Sequence, residues 1–144
     1  MAESTPRYHR SPQREAILDH ICTRHDHLSA EEVYAGLRPR FPRLSMGTVY
    51  RNLHILVEQE RLRVIHFGSG QDRYDARLGL HYHAVCRRCG DIKDLEMPAT
   101  TSLDEQVQSH SNGFKVEHHA VSFYGLCLAC QEAGDAQQSS GVRD

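Results

Sequence analysis

The stretch LHYHAVCRRCGDIKDL, residues 80–95, places two histidines, two cysteines and two aspartates within sixteen positions. On either side of its centre, YHAVC and DIKDLE have the composition of short strands. Between them, Cys86 and Cys89 have the spacing of a metal-binding knuckle, and Gly90 permits the tight backbone that a knuckle needs. The stretch therefore predicts a β-hairpin whose turn presents two thiolates.

A second C-x-x-C pair, Cys127 and Cys130, follows after residues 90–126. Two knuckles can close a tetrahedral, all-thiolate zinc site. A redox dithiol or a chance pair is the alternative for one such motif, but two motifs in a cytosolic chain favour structural zinc. We expect Cys86, Cys89 and the second pair to bind one Zn²⁺ that ties the last strand to the hairpin.

The histidines of the opening stretch are then available for a second site. On a strand, His81 and His83 face the same side because they are two positions apart. A turn centred on residues 87–88 would set Asp94 opposite His81, and a turn widened to include Gly90 would set it opposite His83. Either register places a carboxylate beside two imidazoles. Such ligands suit Mn²⁺ or Fe²⁺ as well as Zn²⁺, and two solvent-facing strand histidines are the alternative.

The composition is that of an ordinary globular protein with 144 residues, 25% charged residues and a net charge of -2. The chain has eleven histidines, five cysteines and no tryptophan. No apolar run is long enough to span a bilayer, and the start, MAESTPRYHRSP, lacks the apolar core of a signal peptide. These features predict a cytoplasmic protein that makes no use of a membrane, and the cysteines of such a protein seldom form a disulfide framework.

The first half of the sequence predicts three short helices followed by a hairpin. Helix starts are indicated by Ser11 before a proline, by the capping box that begins at Ser29, and by Ser45. Segments 62–68 and 72–77 then have the composition of two strands joined by a glycine-containing turn. This order is typical of a winged helix-turn-helix, whose third helix lies in the DNA major groove. A small helical domain that binds protein, or only packs, is the alternative.

The second half predicts a small α/β domain with the order β-β-α-β. A helix is indicated from Ser102 to about His110, and a longer strand over residues 114–125. A small open sheet exposes its edges, so an edge-to-edge dimer is plausible. The expected organisation is a DNA-binding domain over 1–76, a dimerisation and metal-binding domain over 77–132, and a disordered tail over 133–144.

Several segments together resemble the ferric uptake regulator (Fur) family of metal-dependent bacterial repressors, from about Arg10 to Cys130. The matching segments are RSPQREAIL at 10–18, HLSAEEVY at 27–34, GTVYRNL at 47–53, HYHAVCRRCG at 81–90 and YGLCLAC at 124–130. The resemblance implies a winged-helix DNA-binding domain, a dimerisation domain and a homodimer. It also implies a regulatory metal at the hinge between the domains.

The resemblance further implies which residues hold that metal. His27 and Asp75 match family ligands and join His81, His83 and Asp94 in a set of three imidazoles and two carboxylates. This set is most similar to that of the peroxide-sensing branch (PerR). Two departures concern an additional site of the iron-sensing members: Leu80 and Tyr82 stand where those members carry a histidine and an aspartate. The pair His118-His119 also has a family counterpart, without an assigned role here.

The predicted function is therefore a metal-dependent repressor that is not an enzyme. It would hold structural Zn²⁺ and regulatory Fe²⁺ or Mn²⁺, and would sense peroxide by oxidation of His27 and, secondarily, His81. Iron-, manganese- or zinc-responsive repression is the alternative within the family. A small non-haem iron enzyme and a zinc-stapled interaction module without DNA specificity are less favoured.

The expected partner is a palindromic double-stranded operator, bound by the third helix. We expect base or phosphate contacts from Arg14, Thr48, Tyr50, Arg51 and Asn52.

Overall fold

The computed structural model describes residues 8–24, 27–66, 70–100 and 102–138, with side chains to residue 134. The chain divides into two compact units, Met1–Leu78 and Gly79–Asp144. The division lies two residues beyond the predicted boundary at residue 76. Each unit is mixed in secondary structure, and the predicted α+β fold class is confirmed.

The first unit contains three helices and a two-stranded antiparallel hairpin. Its elements are α1 (Pro12–Arg24), α2 (Ala30–Leu37), α3 (Met46–Glu58), β1 (Arg63–Ile65) and β2 (Arg73–Asp75). Each helix begins where the sequence predicts it. The Ser11 hydroxyl accepts from the Arg14 amide at 3.3 Å, and the Ser45 side chain accepts from the Thr48 amide at 3.1 Å. At α2 the capping box is complete, because Ser29 and Glu32 each accept the other's backbone N–H.

The core of the first unit lies between the three helices. Ile17 of α1, Val33 of α2 and Val49, Leu53 and Leu56 of α3 are fully buried. The spacing of the three α3 residues places them on one helix face. Since α3 contributes most of these side chains, its opposite face is left exposed while its position is fixed by the core.

A backbone bridge attaches the hairpin to the segment that precedes α2. Tyr74 of β2 pairs with Leu28, and the Tyr74 amide donates to the Leu28 carbonyl at 2.9 Å. In this antiparallel pairing, residue 27 stands across from residue 75. The bridge therefore sets the segment before α2 against the end of the wing.

The second unit is a three-stranded sheet with the strand order β4-β3-β5. Its elements are β3 (Tyr82–Cys86), β4 (Ile92–Leu95), α4 (Ser102–Gln108), β5 (Ser122–Gly125) and α5 (Leu128–Gln138). His83 pairs with Asp94 across β3 and β4. Of the two registers that the sequence left open, the hairpin has the one with the turn widened to include Gly90.

Two predicted segments of the second unit have different structures. The expected long strand over 114–125 is reduced to β5, which runs parallel to β3 from the pairing of His83 with Ser122. The Val121 carbonyl still accepts from the His83 amide at 3.4 Å, and residues before Val121 would run past the start of β3. The expected disordered tail from residue 133 is helical to Gln138, where α5 ends. Residues 139–144 lie outside the described part of the chain.

In the described residues, no helix combines the length and the apolar character needed to cross a membrane. This finding agrees with the absence of a long apolar run in the sequence.

The packing of α3 yields a stability prediction. Leu53→Ala should lower the free energy of unfolding of the first unit by about 2–5 kcal/mol, because it leaves a cavity at a fully buried position. The matched control is His54→Ala at the next position, where the side chain is 74% exposed, and which should change the free energy of unfolding by less than about 0.5 kcal/mol. Chemical denaturation followed by circular dichroism measures both. Equal effects of the two substitutions would show that α3 packs by another face.

Candidate metal centres

The four paired cysteines form one cluster in the second unit. The Sγ atoms of Cys86, Cys89, Cys127 and Cys130 all lie within 4.8 Å of one another, and those of Cys89 and Cys127 are 3.6 Å apart. Zinc–sulfur bonds of about 2.3 Å in a tetrahedron require sulfur atoms about 3.8 Å apart. The cluster therefore has the dimensions and the donor atoms of a structural zinc site.

Backbone hydrogen bonds hold the first knuckle in this shape. The Cys86 amide donates to the Asp91 carbonyl at 2.8 Å, and the Gly90 amide donates back to the Cys86 carbonyl at 2.9 Å. Gly90 has a φ of 77°, in the left-handed region that favours glycine. The next amide, that of Arg87, donates to Gly125 at 2.8 Å and fastens the knuckle to the end of β5.

The second knuckle is formed by the start of α5. The Gln131 amide donates to the Cys127 carbonyl at 3.0 Å, and an Arg88 guanidinium nitrogen donates to the Cys130 carbonyl at 2.6 Å. A side chain of the first knuckle thus contacts the backbone of the second, and the two Cys pairs are held together by more than their sulfur atoms.

The surroundings of the cysteine cluster give the thiols of Cys86 and Cys130 different pKa values. Backbone hydrogen bonds at Cys89 and Cys127 lower the pKa of Cys86 to about 6, so this sulfur is favoured as a thiolate. Burial raises the pKa of Cys130 to about 12. Zinc requires thiolates, so a metal binding here would displace protons from the more basic sulfurs. The fifth cysteine, Cys22, follows Ile17, Leu18 and Ile21 on the apolar stripe of α1, which predicts a core position, but its side chain is exposed.

A second group of ligand-type side chains in the same unit comprises His81, His83 and Asp94. One Asp94 oxygen lies 3.2 Å from His81 Nε2 and 3.5 Å from His83 Nε2. Adjacent ligands of an octahedral metal with bonds of about 2.1 Å are about 3.0 Å apart. Both imidazoles are buried. The three donor atoms thus have the separation and the chemistry expected of neighbouring ligands on a hard or borderline divalent metal.

The tautomer of His81 is set by its other ring nitrogen. Nδ1 of His81 lies 2.7 Å from the Gly79 carbonyl oxygen. A carbonyl can only accept, so Nδ1 carries a proton, and in the neutral imidazole that binds a metal the lone pair is on Nε2, the atom near Asp94. This is the arrangement that prepares a histidine for metal binding.

The first unit brings together the other two predicted ligands, His27 and Asp75. They stand across the Leu28–Tyr74 bridge, with His27 Nε2 3.9 Å from Asp75 Oδ2, and both side chains are buried. The other carboxylate oxygen, Oδ1, accepts from the Arg77 amide at 2.7 Å. The carboxylate is therefore oriented by the backbone that follows β2.

Arg73 holds the His27 backbone in place, a role that sequence reasoning did not assign. One guanidinium nitrogen donates to the His27 carbonyl at 3.2 Å and lies 2.6 Å from a Glu32 carboxylate oxygen. That oxygen also accepts from the Ser29 amide in the capping box. The cap of α2, the wing and the residue before the helix thus share one network. The sequence predicted the capping box at Ser29, but it did not predict that Arg73 contacts it.

The third helix presents only part of the predicted DNA-binding set. Tyr50 is 48% exposed, Arg51 is exposed and Thr48 is half-buried. The Tyr50 hydroxyl donates to Glu31 at 2.9 Å, and this hydrogen bond raises the pKa of Tyr50.

Arg14 and Asn52, by contrast, are buried. Arg14 Nε donates to Asn52 Oδ1 at 3.1 Å, and Asn52 Nδ2 donates to the Thr48 carbonyl at 3.0 Å. A second Arg14 nitrogen donates to the His9 carbonyl at 2.9 Å. Both side chains thus join α1 to α3 within the first unit, and their contact with DNA stays a prediction.

Comparison with known proteins extends these observations. Residues 7–124 match the model of the ferric uptake regulator family. The peroxide operon regulator of Bacillus subtilis is 37% identical over 122 residues, which are 85% of this chain and 83% of that protein. The peroxide-responsive repressor PerR of Staphylococcus epidermidis is 35% identical over 125 residues, 87% of this chain and 83% of the relative. The crystal structure of the Campylobacter jejuni peroxide stress regulator is similar, with a TM-score of 0.65 and 32% identity over 83% of this chain and 89% of that one.

The cysteine cluster predicts a metal-dependent second unit. Cys86→Ser should abolish stoichiometric zinc binding and unfold the β3–β4 hairpin, because the four sulfur atoms then lack one ligand. Zinc analysis and proton NMR of the purified variant measure both effects. Cys22→Ser, at the exposed cysteine of α1, is the control and should retain zinc. A zinc-free parent protein with a folded second unit would contradict the assignment.

Proposed function

Because this chain belongs to the ferric uptake regulator family, we propose that it represses transcription in response to peroxide, through Fe²⁺ held by His27, Asp75, His81, His83 and Asp94. Metal-responsive repression is the function of the family, and the chain is a regulator rather than an enzyme. The peroxide signal is supported by two relatives at 35% and 37% identity whose names state that response.

One observation carries the metal assignment: a single Asp94 oxygen lies 3.2 Å and 3.5 Å from the Nε2 atoms of two buried histidines. His27 and Asp75 form a similar pair in the first unit. We assign both groups to one metal. Residues 76–80 are the only residues between Asp75 and His81. Six backbone steps span at most roughly 20 Å, so the chain itself keeps the two groups within reach of each other.

The donor set favours Fe²⁺ or Mn²⁺ for this centre. Three imidazoles and two carboxylates supply nitrogen and oxygen, and the four paired cysteines are committed to the zinc cluster. Soft thiolate ligands, which select zinc and other thiophilic metals, are therefore absent from the proposed set. We therefore expect zinc at the thiolates and Fe²⁺ or Mn²⁺ at the nitrogen and oxygen ligands.

Linkage explains how such a metal would control DNA binding. A metal that binds ligands from both units favours the arrangement in which all five converge. It shifts the population only by the difference between its affinities for that arrangement and for others. In a dimer, the arrangement sets the separation of the two third helices, which must match half-sites about one turn of DNA or a multiple apart. Loss of the metal would then weaken operator binding without a change in any base contact.

The second unit provides a surface for the proposed homodimer. Its strand β5 lies at one edge of the sheet. Phe123 and Tyr124 on this strand are 49% and 57% exposed, and Leu128 at the start of α5 is 70% exposed. An edge strand with exposed apolar side chains favours pairing with a second copy. We propose that this edge forms the dimer and that the dimer binds a palindromic operator.

Peroxide sensing follows from the ligand chemistry of the proposed centre. Bound Fe²⁺ would supply the electrons that reduce hydrogen peroxide. In a site without sulfur, the imidazole rings are the oxidisable groups nearest to that reaction. We propose that one oxygen atom of peroxide is added to the ring of His27, and secondarily of His81, to give 2-oxo-histidine. The other oxygen leaves as water, and the net loss of two electrons falls on the ring. An oxidised ring is a poorer ligand, so the metal is lost and the operator is released.

The exposure of the third helix gives a DNA-binding prediction. Arg51→Ala should weaken operator binding by about 1–3 kcal/mol and relax its sequence preference, with no change in stability, because the side chain is exposed on α3. Arg14→Ala should instead lower the free energy of unfolding, since it leaves the buried Asn52 amide without its donor. Fluorescence anisotropy with operator and random duplexes, and denaturant melts, measure the two effects. If Arg14→Ala leaves the stability unchanged and reduces the salt dependence of DNA binding, Arg14 contacts a phosphate rather than stabilising the unit.

The oxidation chemistry gives a prediction by mass spectrometry. After a small excess of peroxide, the Fe²⁺-loaded protein should gain one oxygen atom on the peptide that contains His27 and should release operator DNA. The Mn²⁺-loaded protein is the control and should keep both its mass and its operator. If the Fe²⁺ form retains the operator and neither His27 nor His81 gains oxygen, the centre responds to metal concentration instead.

A further inference from the structure

A second hydrogen-bonded cluster in the second unit surrounds the buried Tyr82. Its hydroxyl oxygen lies 2.8 Å from the Thr100 amide and 3.4 Å from His119 Nε2. The other ring nitrogen of His119, Nδ1, lies 2.7 Å from an Asp104 carboxylate oxygen. Tyr82 begins β3 and Asp104 is in the first turn of α4. The cluster thus joins the strand, the helix and the segment before β5.

The chemistry of these groups decides which of them can donate and which can accept. The Thr100 amide can only donate, so the Tyr82 oxygen accepts there. Asp104 is a carboxylate and can only accept, so His119 carries a proton on Nδ1. In the neutral imidazole, Nε2 of His119 is then an acceptor, and the Tyr82 hydroxyl donates to it. Each donor then meets an acceptor along the chain Thr100, Tyr82, His119, Asp104.

The position of Tyr82 in the sequence connects this cluster to the proposed metal ligands. It lies between His81 and His83, and its side chain projects from the opposite face of β3. His83 is fixed by pairing with both Asp94 and Ser122. His81, however, precedes the first residue of β3, and the ladder with β4 begins at Tyr82 and Leu95. The backbone at His81 therefore depends on what holds Tyr82.

We propose that Asp104 and His119 act through Tyr82 as a clamp that positions His81 for metal binding. This inference rests on the proposed regulatory centre, and the clamp residues are positioning residues rather than ligands. With Tyr82 held at its hydroxyl and His81 Nδ1 held by Gly79, the Nε2 atom of His81 is directed toward Asp94 before any metal arrives. A prepositioned ligand binds with less loss of conformational freedom.

The clamp also assigns a role to one of two adjacent histidines. His119 is 13% exposed at its side chain and is bound on both ring nitrogens, whereas His118 is exposed. Among the described residues, the groups of three or more His, Cys, Asp or Glu side chains that are near enough to hold an ion include neither His119 nor Asp104. The ring of His119 is thus engaged in hydrogen bonds within the unit.

The experiment compares Tyr82→Phe and His119→Gln with the parent, using His118→Gln as the matched control. Titration of the zinc-loaded proteins with Mn²⁺ should show affinity lowered about 10-fold in the first two variants, the range found when groups that orient metal ligands are removed. Zinc content should be unchanged in all four proteins. His118→Gln should match the parent, because that side chain is exposed.

Two measurements without Mn²⁺ test the clamp independently of the regulatory centre. Nitrogen-15 NMR of the zinc-loaded parent should show His119 protonated at Nδ1 and not at Nε2. Hydrogen exchange should show the amides of residues 81–83 exchanging faster in Tyr82→Phe than in the parent. A parent that binds no Mn²⁺ but meets both expectations would overturn the regulatory centre and keep the clamp. Mn²⁺ affinity in Tyr82→Phe within twofold of the parent, or a proton on Nε2 of His119, overturns the clamp.

Discussion

The second unit depends on the hydrogen bond from the Cys86 amide to the Asp91 carbonyl, which closes the knuckle between β3 and β4. With Gly90 in a left-handed conformation, this turn sets the register in which His83 pairs with Asp94. A shift of one residue would send every side chain of β4 to the other face of the sheet. The same turn gathers the sulfur atoms of Cys86 and Cys89. One local backbone geometry therefore determines both the zinc cluster and the carboxylate beside the two histidines.

In the first unit, the residues around His27 are positioned by the core, a backbone bridge and side-chain hydrogen bonds. Its core fixes α3, and the Leu28–Tyr74 bridge then fixes the wing relative to α2. Glu32 serves both the helix cap and Arg73, so the residues that flank His27 are held from two directions. Arg14 and Asn52 are likewise paired with each other inside the unit, whereas Tyr50 and Arg51 are exposed.

The proposed regulation uses a difference in permanence between the two metals. A four-thiolate zinc cluster lies within one folded unit and contributes to the free energy of folding of that unit. The proposed Fe²⁺ or Mn²⁺ centre takes ligands from both units, so its occupancy can alter their arrangement without unfolding either one. Like the zinc cluster, the proposed Tyr82 clamp lies within one folded unit. It would prepare the ligands of the exchangeable metal by contacts that do not themselves exchange.

The sequence by itself determined the features that depend on local chemistry. The helix starts at Ser11, Ser29 and Ser45, and the pairing of the cysteines into one site, follow from short spacings with few physical solutions. The family was also identifiable, because several motifs occur together over most of the chain. Only the tertiary structure decided the hairpin register, since both turn lengths satisfied the same residues. It also decided that Arg14 and Asn52 are buried together, that β5 is short, and that His119 bonds to Tyr82 and Asp104. Each of these depends on partners distant in the chain, and one sequence carries no record of which distant side chains meet.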